Sequence, residues 1–367
     1  MNLNLSTPLE LIGRPAQFQR IVQVLAQDGD LLIAGVPGSG RRTLVRRAAE
    51  EVGAMVLEVD CIRATDGERF VQLLCEATSL LFKNEKAQAL IREWIAGPGG
   101  EFFLLNPEES GTKLRPLRSL KLGQRWQAFE MLIQLPQLLA ESLGKRVVLI
   151  LQSFPHIRSW DRNGMWEALL RREIKHSSEV SYVLIATIAE TSSHSDETTY
   201  PLETVCLAPL ADEVLAIWAR EMLHTQGLTF DFRSPSLELF LDAVQGHLGD
   251  AMAVIRRLNT LCQPDGLISH QQIQQAIQGL LQDLSITFES LLMLLPASQV
   301  QLLECLALDP TEKPQSRDYI HKHGLSRGGS LQGALTGLQQ KGLIYGSDQG
   351  YRLALPLLAL WIRQRLK

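Results

Sequence analysis

The sequence predicts an α/β domain with a parallel sheet and helices on both faces, then an all-α segment and a small helical unit closed by a β-hairpin. Three observations predict it. Short apolar runs alternate with helical patterns as far as Leu210, as expected of parallel strands joined by crossover helices. A glycine-rich turn, Val36-Pro-Gly-Ser-Gly40, follows the first apolar run and precedes a helical stretch. Beyond Leu210 the apolar positions keep helical spacing until residues 342–353, where a Gly/Ser/Asp turn separates two short apolar strands.

The elements follow in order. Phe18, Ile21, Val22, Val24 and Leu25 give a helix over 16–27. Residues 30–35 read as a buried strand, 43–52 as a helix and 55–60 as a second strand ending in Asp60, whose structural role would be a helix N-cap. Strand, glycine-rich loop, helix and strand make a right-handed crossover unit, the usual opening of a nucleotide-binding domain. Residues 66–96 read as helical, and 97–123 as an irregular, basic surface excursion carrying Lys113, Arg115, Arg118, Lys121 and Arg125. A helix over 124–142 leads to strands at 146–151 and 181–187, with a helix over 166–176 between them, and to a last strand at 203–207. Helices are expected over 211–226, 235–244, 249–262 and 270–283, and a new compact unit near Phe288. The tryptophans sit mostly at helical apolar positions and read as core.

Composition narrows the function classes. A length of 367 residues allows two or three domains, and 45% hydrophobic with 21% charged residues is an ordinary globular balance. A net charge of −4 argues against coating nucleic acid by bulk electrostatics, leaving only local basic patches. The five cysteines are scattered, which disfavours a disulfide framework or zinc site and points to a reducing cytoplasm. There is no basic region followed by an apolar core at the start, and no apolar stretch of membrane-spanning length. A cytoplasmic protein without a membrane partner is the expectation.

The segment Gly35-Val-Pro-Gly-Ser-Gly40-Arg41-Arg42-Thr43 stands where a phosphate-binding loop must stand, after a strand and before a helix. In the template Gly-x4-Gly-Lys-Ser/Thr the glycines turn backbone N–H groups inward, the lysine reaches the outer phosphates and the hydroxyl holds Mg²⁺. Here Gly35, Gly38, Ser39 and Gly40 suit the loop, Arg41 takes the lysine position and Arg42 the hydroxyl position. Arginine is cationic but bulkier and planar. Arg42 cannot ligate a cation, and Thr43 comes one residue late, rotated by about 100° on a helix. The alternative is a strand–turn–helix corner without a ligand. Hydrolysis further requires a strand ending in Asp-Glu, the Asp ordering the metal shell and the Glu polarising water. Residues 147–151 supply the strand, but Gln152 and Ser153 follow it, and Asp161 comes too late.

With these motifs the chain resembles the archaeal-type ATPases of the STAND branch, close to the AAA+ origin-recognition proteins. The resemblance begins at Ile12-Gly13-Arg14, similar to the segment packed beside adenine, and continues through the loop and the strand 147–151. Thr187 sits where the family has a polar sensor of the γ-phosphate. In Gly246-His247-Leu248-Gly249-Asp250-Ala251-Met252, Leu248 replaces a family proline and Met252 a sensor arginine, with Arg256 or Arg257 as stand-ins. The end, through Trp361, looks like a winged helix. The resemblance implies a P-loop NTPase domain over 1–210, a helical lid over 211–286 and a winged helix over 287–367. It also implies ATP or ADP held by Gly13, Arg14, Gly35, Gly38, Ser39, Gly40, Arg41, Arg42 and Thr43, while the altered positions leave Mg²⁺ in doubt.

Departures from the family concentrate on Arg41, Arg42, Gln152, Ser153 and Met252. The expected function is therefore a degenerate pseudo-ATPase acting as scaffold or adaptor, responsive to nucleotide or independent of it. Its partner would be another protein or further copies of the chain. An active ATP-dependent switch and a DNA-binding regulator are the alternatives. The winged helix would offer DNA only Arg327, Gln332, Gln339, Gln340 and Lys341, and the basic run 113–125 is a second candidate surface.

Overall fold

The computed structural model describes residues 13–108, 111–117, 121–174, 179–189, 202–263, 266–326, 328–347 and 350–366. Seven strands lie in the first part: β1 (Leu31–Gly35), β2 (Met55–Asp60), β3 (Phe103–Glu108), β4 (Gly111–Pro116), β5 (Val147–Gln152), β6 (Val180–Ala186) and β7 (Glu203–Leu207). Five of them form one parallel sheet in the order β2-β5-β6-β1-β7. Its central strands β1, β5 and β6 are apolar almost throughout because helices cover both faces.

Each face has its own core. On one, helices Pro15–Ala26 and Arg41–Glu51 press Ile21, Leu25, Val45 and Ala48 against Ile33, Ile150 and Val183. On the other, Phe70, Phe129, Leu132 and the partly buried Trp166 pack on Leu57, Leu149 and Tyr182. Because side chains alternate along a strand, Val56, Glu58 and Asp60 of β2 fall on the side of helix Arg41–Glu51, and so does Gln152 of β5. That alternation assembles part of the site.

Two local expectations are corrected. Residues 97–123 are not an irregular excursion: β3 and β4 pair antiparallel, with Phe103 opposite Pro116 and Leu105 opposite Leu114. Leu114 is buried and its N–H donates to Ser79 Oγ at 2.9 Å, while Trp94 and Phe103 pack with ring centroids 5.3 Å apart. Pro107 and Pro116 masked the alternation, and both are tolerated because this two-stranded hairpin has free edges. The charges of the basic run are also engaged: Arg125, in the helix Leu122–Leu143 that follows, pairs with Glu68 at 2.7 Å, and neither Lys113 nor Arg115 lacks a partner. Arg118 lies outside the described residues. Residues 66–96, in turn, form two helices, Gly67–Leu81 and Glu85–Ala96, the second capped by Asn84 Oδ1 on the Ala87 N–H at 2.8 Å.

Helices Asp212–His224, Ser236–Val244, Leu248–Leu261 and His270–Met293 follow, with one small parallel pairing of Thr229–Phe230 on Leu267–Ile268. The last of these helices runs on past 283, because Leu281 and Phe288, seven residues apart, keep one face buried. Helices Ala297–Leu308, Arg317–His323 and Gly329–Gln340, the hairpin Ile344–Ser347 with Gly350–Leu353, and helix Pro356–Arg365 complete the chain. One continuous core, from Leu215 and Phe240 to Leu302 and Trp361, joins the lid to this terminal unit. Among the described residues no helix is long and apolar enough to cross a membrane.

Candidate nucleotide site

The loop after β1, Gln152 at the end of β5, Thr187 after β6 and Ala208 after β7 gather at the carboxyl edge of the sheet. Open α/β sheets bind ligands at that edge. Gly38 and Gly40 hold φ of 79° and 85°, a left-handed conformation that a residue with a Cβ adopts only at a cost. The helix then starts at Arg41, two residues earlier than the sequence implies, so its free N–H groups open onto the loop. Ser39 is 3% exposed and its Oγ has no hydrogen-bond partner. That oxygen lies 2.9 Å from where a Cβ on Gly35 would stand, on the side that faces Leu207.

Arg41 turns across the sheet and donates to the carbonyl of Ala186, the last residue of β6. Burial pushes its pKa down to about 10, so it stays cationic at neutral pH. Among the described residues it has no carboxylate partner. The neighbouring Thr187 hydroxyl is buried and likewise without a partner. Arg14 is buried too, and its guanidinium donates to the Ala208 carbonyl at 2.6 Å; burial lowers its pKa, with Cys206 acting in the opposite sense. Beside it Gly13 stands against Val214 of the first lid helix, and Ile12 lies outside the described residues.

Arg42 goes elsewhere. Its Nε and Nη2 donate to the two carboxylate oxygens of Glu58, each at 2.7 Å, and Arg46, one turn along the helix, lies 3.6 Å from the same group. Gln152 donates to Glu58 as well. The position that needs a hydroxyl and the position that needs an aspartate are thus joined through one acid of β2. Thr43 is exposed on the outer side of the helix. Ser153 follows in a left-handed turn with φ of 51°, and Asp161 caps helix Met165–Ile174 by accepting the N–H groups of Met165, Trp166 and Glu167.

These residues answer the two expected ligands differently. The loop glycines, the orphan Ser39 hydroxyl and the cationic Arg41 fit the phosphates of ATP or ADP. They do not fit Mg²⁺: no hydroxyl stands at 42, no carboxylate at 152 or 153, and both oxygens of Glu58 are taken by guanidinium groups. Among the described residues no group of three His, Cys, Asp or Glu side chains could hold a metal ion.

The lid closes on the loop through His247, the N-cap of helix Leu248–Leu261. Its Nε2 donates to the Pro37 carbonyl at 2.5 Å, and its Nδ1 lies 3.0 Å from the Asp250 N–H and 3.1 Å from Asp250 Oδ1. Asp250 Oδ2 in turn accepts the N–H of Leu357 at 3.0 Å, in the first turn of the last helix. Phosphate loop, lid and terminal unit are therefore joined by two side chains. The terminal unit also touches the site directly: a Cβ on Gly342 would stand 2.9 Å from Thr187 Cγ2 and 3.7 Å from Pro37 Cγ.

Burial disfavours the charged form of His247, but the Asp250 carboxylate and the Pro37 carbonyl outweigh it and hold its pKa above the ordinary value. The sign follows from linkage. The folded chain keeps a proton that the unfolded chain releases, so this contribution to stability is full below about pH 6.5 and is lost as pH rises through the folded value. Denaturant titrations of wild type and His247→Gln across that range should show the wild-type advantage shrinking toward alkaline pH. An advantage that grows with pH would contradict this assignment.

Of the sensor stand-ins, Arg257 is committed to Asp283 at 2.5 Å and Arg256 is exposed, while Met252 packs partly buried in the lid core. The third helix of the terminal unit, Gly329–Gln340, contains no charged residue and exposes Ser330, Gln332, Gly333 and Thr336; Gln332 is bonded to Gln315 and Thr336. Arg327 lies outside the described residues. Sequence reasoning did not find Glu58 or the roles of His247 and Asp250. For Glu58 a signal existed, since two acids spaced by two in an otherwise apolar strand must share a face.

Residues 286–364 match the family model described as a probable winged helix domain. No curated protein matches the chain by sequence. Among solved structures the chain is similar to a Walker-type ATPase of Pyrococcus abyssi, with a TM-score of 0.67, 15% identity and 96% of each chain covered. It is also similar to the Aeropyrum pernix ORC1 protein, solved in complex with DNA, with a TM-score of 0.50, 15% identity and coverage of 100% of this chain and 97% of that one. A third is Cdc6p from Pyrobaculum aerophilum, with a TM-score of 0.50, 13% identity and coverage of 98% and 96%. The chain thus has the fold these proteins share, a P-loop NTPase sheet with helices on both faces, followed over residues 286–364 by a winged helix domain.

Proposed function

We propose that this chain is a pseudo-ATPase: a P-loop protein that binds ATP or ADP without hydrolysing it and acts as an adaptor through protein contacts. The observation that carries the reading is the Arg42–Glu58–Gln152 network, which ties off the positions that hold the metal and its water shell in a working site. Ser153, where the water-polarising glutamate would be, has no basicity near neutral pH. In this reading residues 1–210 bind the nucleotide, 211–286 form the lid, and 287–367 present the contact surface to another protein or a second copy of the chain.

The uncharged third helix supports protein contact over duplex binding. A duplex carries one charge per roughly 1.7 Å, and binding it takes several Lys or Arg contacts. The contact between Gly342 and Thr187 supports a surface whose position responds to what the loop holds. The test is to incubate nucleotide-stripped protein with ATP and Mg²⁺, and in parallel with duplex DNA at low salt. Phosphate release at the buffer rate and no mobility shift are the expected results. Steady release would end the pseudo-ATPase reading, and a salt-sensitive shift would transfer the function to DNA.

A further inference from the structure

We propose that the loop takes its nucleotide free of any divalent cation, with Arg41 supplying the phosphate-facing charge and Arg42 barring the cation. The inference rests on the nucleotide-binding reading above and goes beyond it in naming the form of the ligand.

Four observations carry it. Arg41 is a half-buried cation whose partner among the described residues is one neutral carbonyl. A guanidinium has five N–H donors in a fixed fork, and burying it without a counter-ion costs free energy that an anion would recover. Ser39 Oγ is a second polar group without a partner, enclosed beside Gly35 in the loop that leads into an 11-residue helix. The first of these calls for an anion at the loop. The third observation is that the carboxylate nearest the helix start on β2, Glu58, faces that helix with both oxygens engaged by Arg42 and one further contact from Gln152. A cation approaching Glu58 would have to displace a bidentate guanidinium pair, the strongest kind of side-chain contact for a carboxylate. The fourth is that Asp60, the other acid on this face, is turned to its own strand end, where it accepts the Ile62 N–H at 3.1 Å. The site asks for negative charge and offers a cation neither a hydroxyl at position 42 nor a carboxylate at 152 or 153.

In ordinary P-loops the metal adds to phosphate binding, so affinity falls when it is chelated. Here it should not. The experiment is calorimetry of ADP and ATP with the nucleotide-stripped wild-type chain, in excess EDTA and in excess Mg²⁺ at matched ionic strength. The expected result is a Kd that differs by less than about twofold between the two conditions for either nucleotide. Loss of the charge-assisted contact in Arg41→Ala should weaken binding at least about tenfold in both, with its thermal unfolding recorded to show that the variant folds. In the double variant Arg42→Thr with Gln152→Asp, Mg²⁺ should begin to tighten binding, because a hydroxyl and a carboxylate are restored where the cation needs them. Affinity that rises about tenfold or more on adding Mg²⁺ to wild type would overturn the proposal, as would the absence of binding in both conditions. Affinity that depends on Mg²⁺ would overturn this proposal alone and leave the pseudo-ATPase reading to phosphate release in the same sample, whereas absence of binding would overturn both.

Discussion

Gly246→Ala is expected to destabilise the folded chain by about 3–4 kcal/mol. Two causes add. Gly246 has φ of 73°, which an alanine adopts only at a cost of about 1–2 kcal/mol. A Cβ there would also stand 2.3 Å from the Leu210 carbonyl oxygen and 2.9 Å from the Leu210 nitrogen. Both obstacles are backbone, and Leu210 N–H already donates to the Gly246 carbonyl at 2.9 Å, so neither side can yield without losing that bond. This is the point at which the sheet domain hands over to the lid, immediately before His247. Gly144→Ala is the control: its φ is 62° but a Cβ would meet nothing within 4 Å. It should cost only the conformational part, about 1 kcal/mol. Denaturant midpoints of the two variants measure the difference, and equal losses would mean that the lid yields freely at Leu210.

Asp250→Ala is expected to cost about 2–3 kcal/mol and to loosen two distant segments together. The carboxylate is only 14% exposed and holds the Leu357 N–H on one oxygen while facing His247 Nδ1 with the other. Removing it leaves a helix N–H without its acceptor, and a buried donor so orphaned costs about 1–3 kcal/mol. It also takes away the group that raises the His247 pKa, which weakens the grip on Pro37. Hydrogen exchange should therefore rise both in the loop 35–40 and at the start of helix Pro356–Arg365. Exchange confined to helix Leu248–Leu261 would show that His247 and Asp250 do not couple the phosphate loop to the winged helix.

The parts of this molecule that were legible in the sequence are those written in consecutive residues. The runs at 31–35 and 147–151 are strands because an uninterrupted apolar stretch of that length is buried on both faces, whereas the edge strand 203–207 alternates and buries only Val205 and Leu207. Gly38 and Gly40 declare the loop, and the altered Arg41, Arg42, Gln152 and Ser153 can be named without coordinates. What was not legible depends on register. Nothing local says that Glu58 will meet Arg42 and Gln152, which are 16 and 94 residues away in sequence. The pairing of β2 with β5, Asp60 opposite Gln152, is what brings them together. The hairpin β3–β4 was hidden by its two prolines. The helix His270–Met293 extends beyond the expected 270–283 because the burial of Phe288 overrides the modest helix propensity of Ser285, Ile286 and Thr287. His247 reads as an ordinary residue between glycines until the lid is folded onto the loop.

The central claim is that this loop kept the geometry for phosphates and lost the means to cleave between them. The most direct test is a single turnover: trace radiolabelled ATP mixed with a large excess of nucleotide-stripped protein and Mg²⁺, quenched at intervals over hours. With every ATP bound, slow product release cannot hide the chemistry. ATP recovered intact, at the rate of the buffer control, is the expected result. ADP and phosphate appearing faster than in buffer would contradict the claim, and would mean that a cation and an activated water reach the site despite the pairing of Arg42 with Glu58.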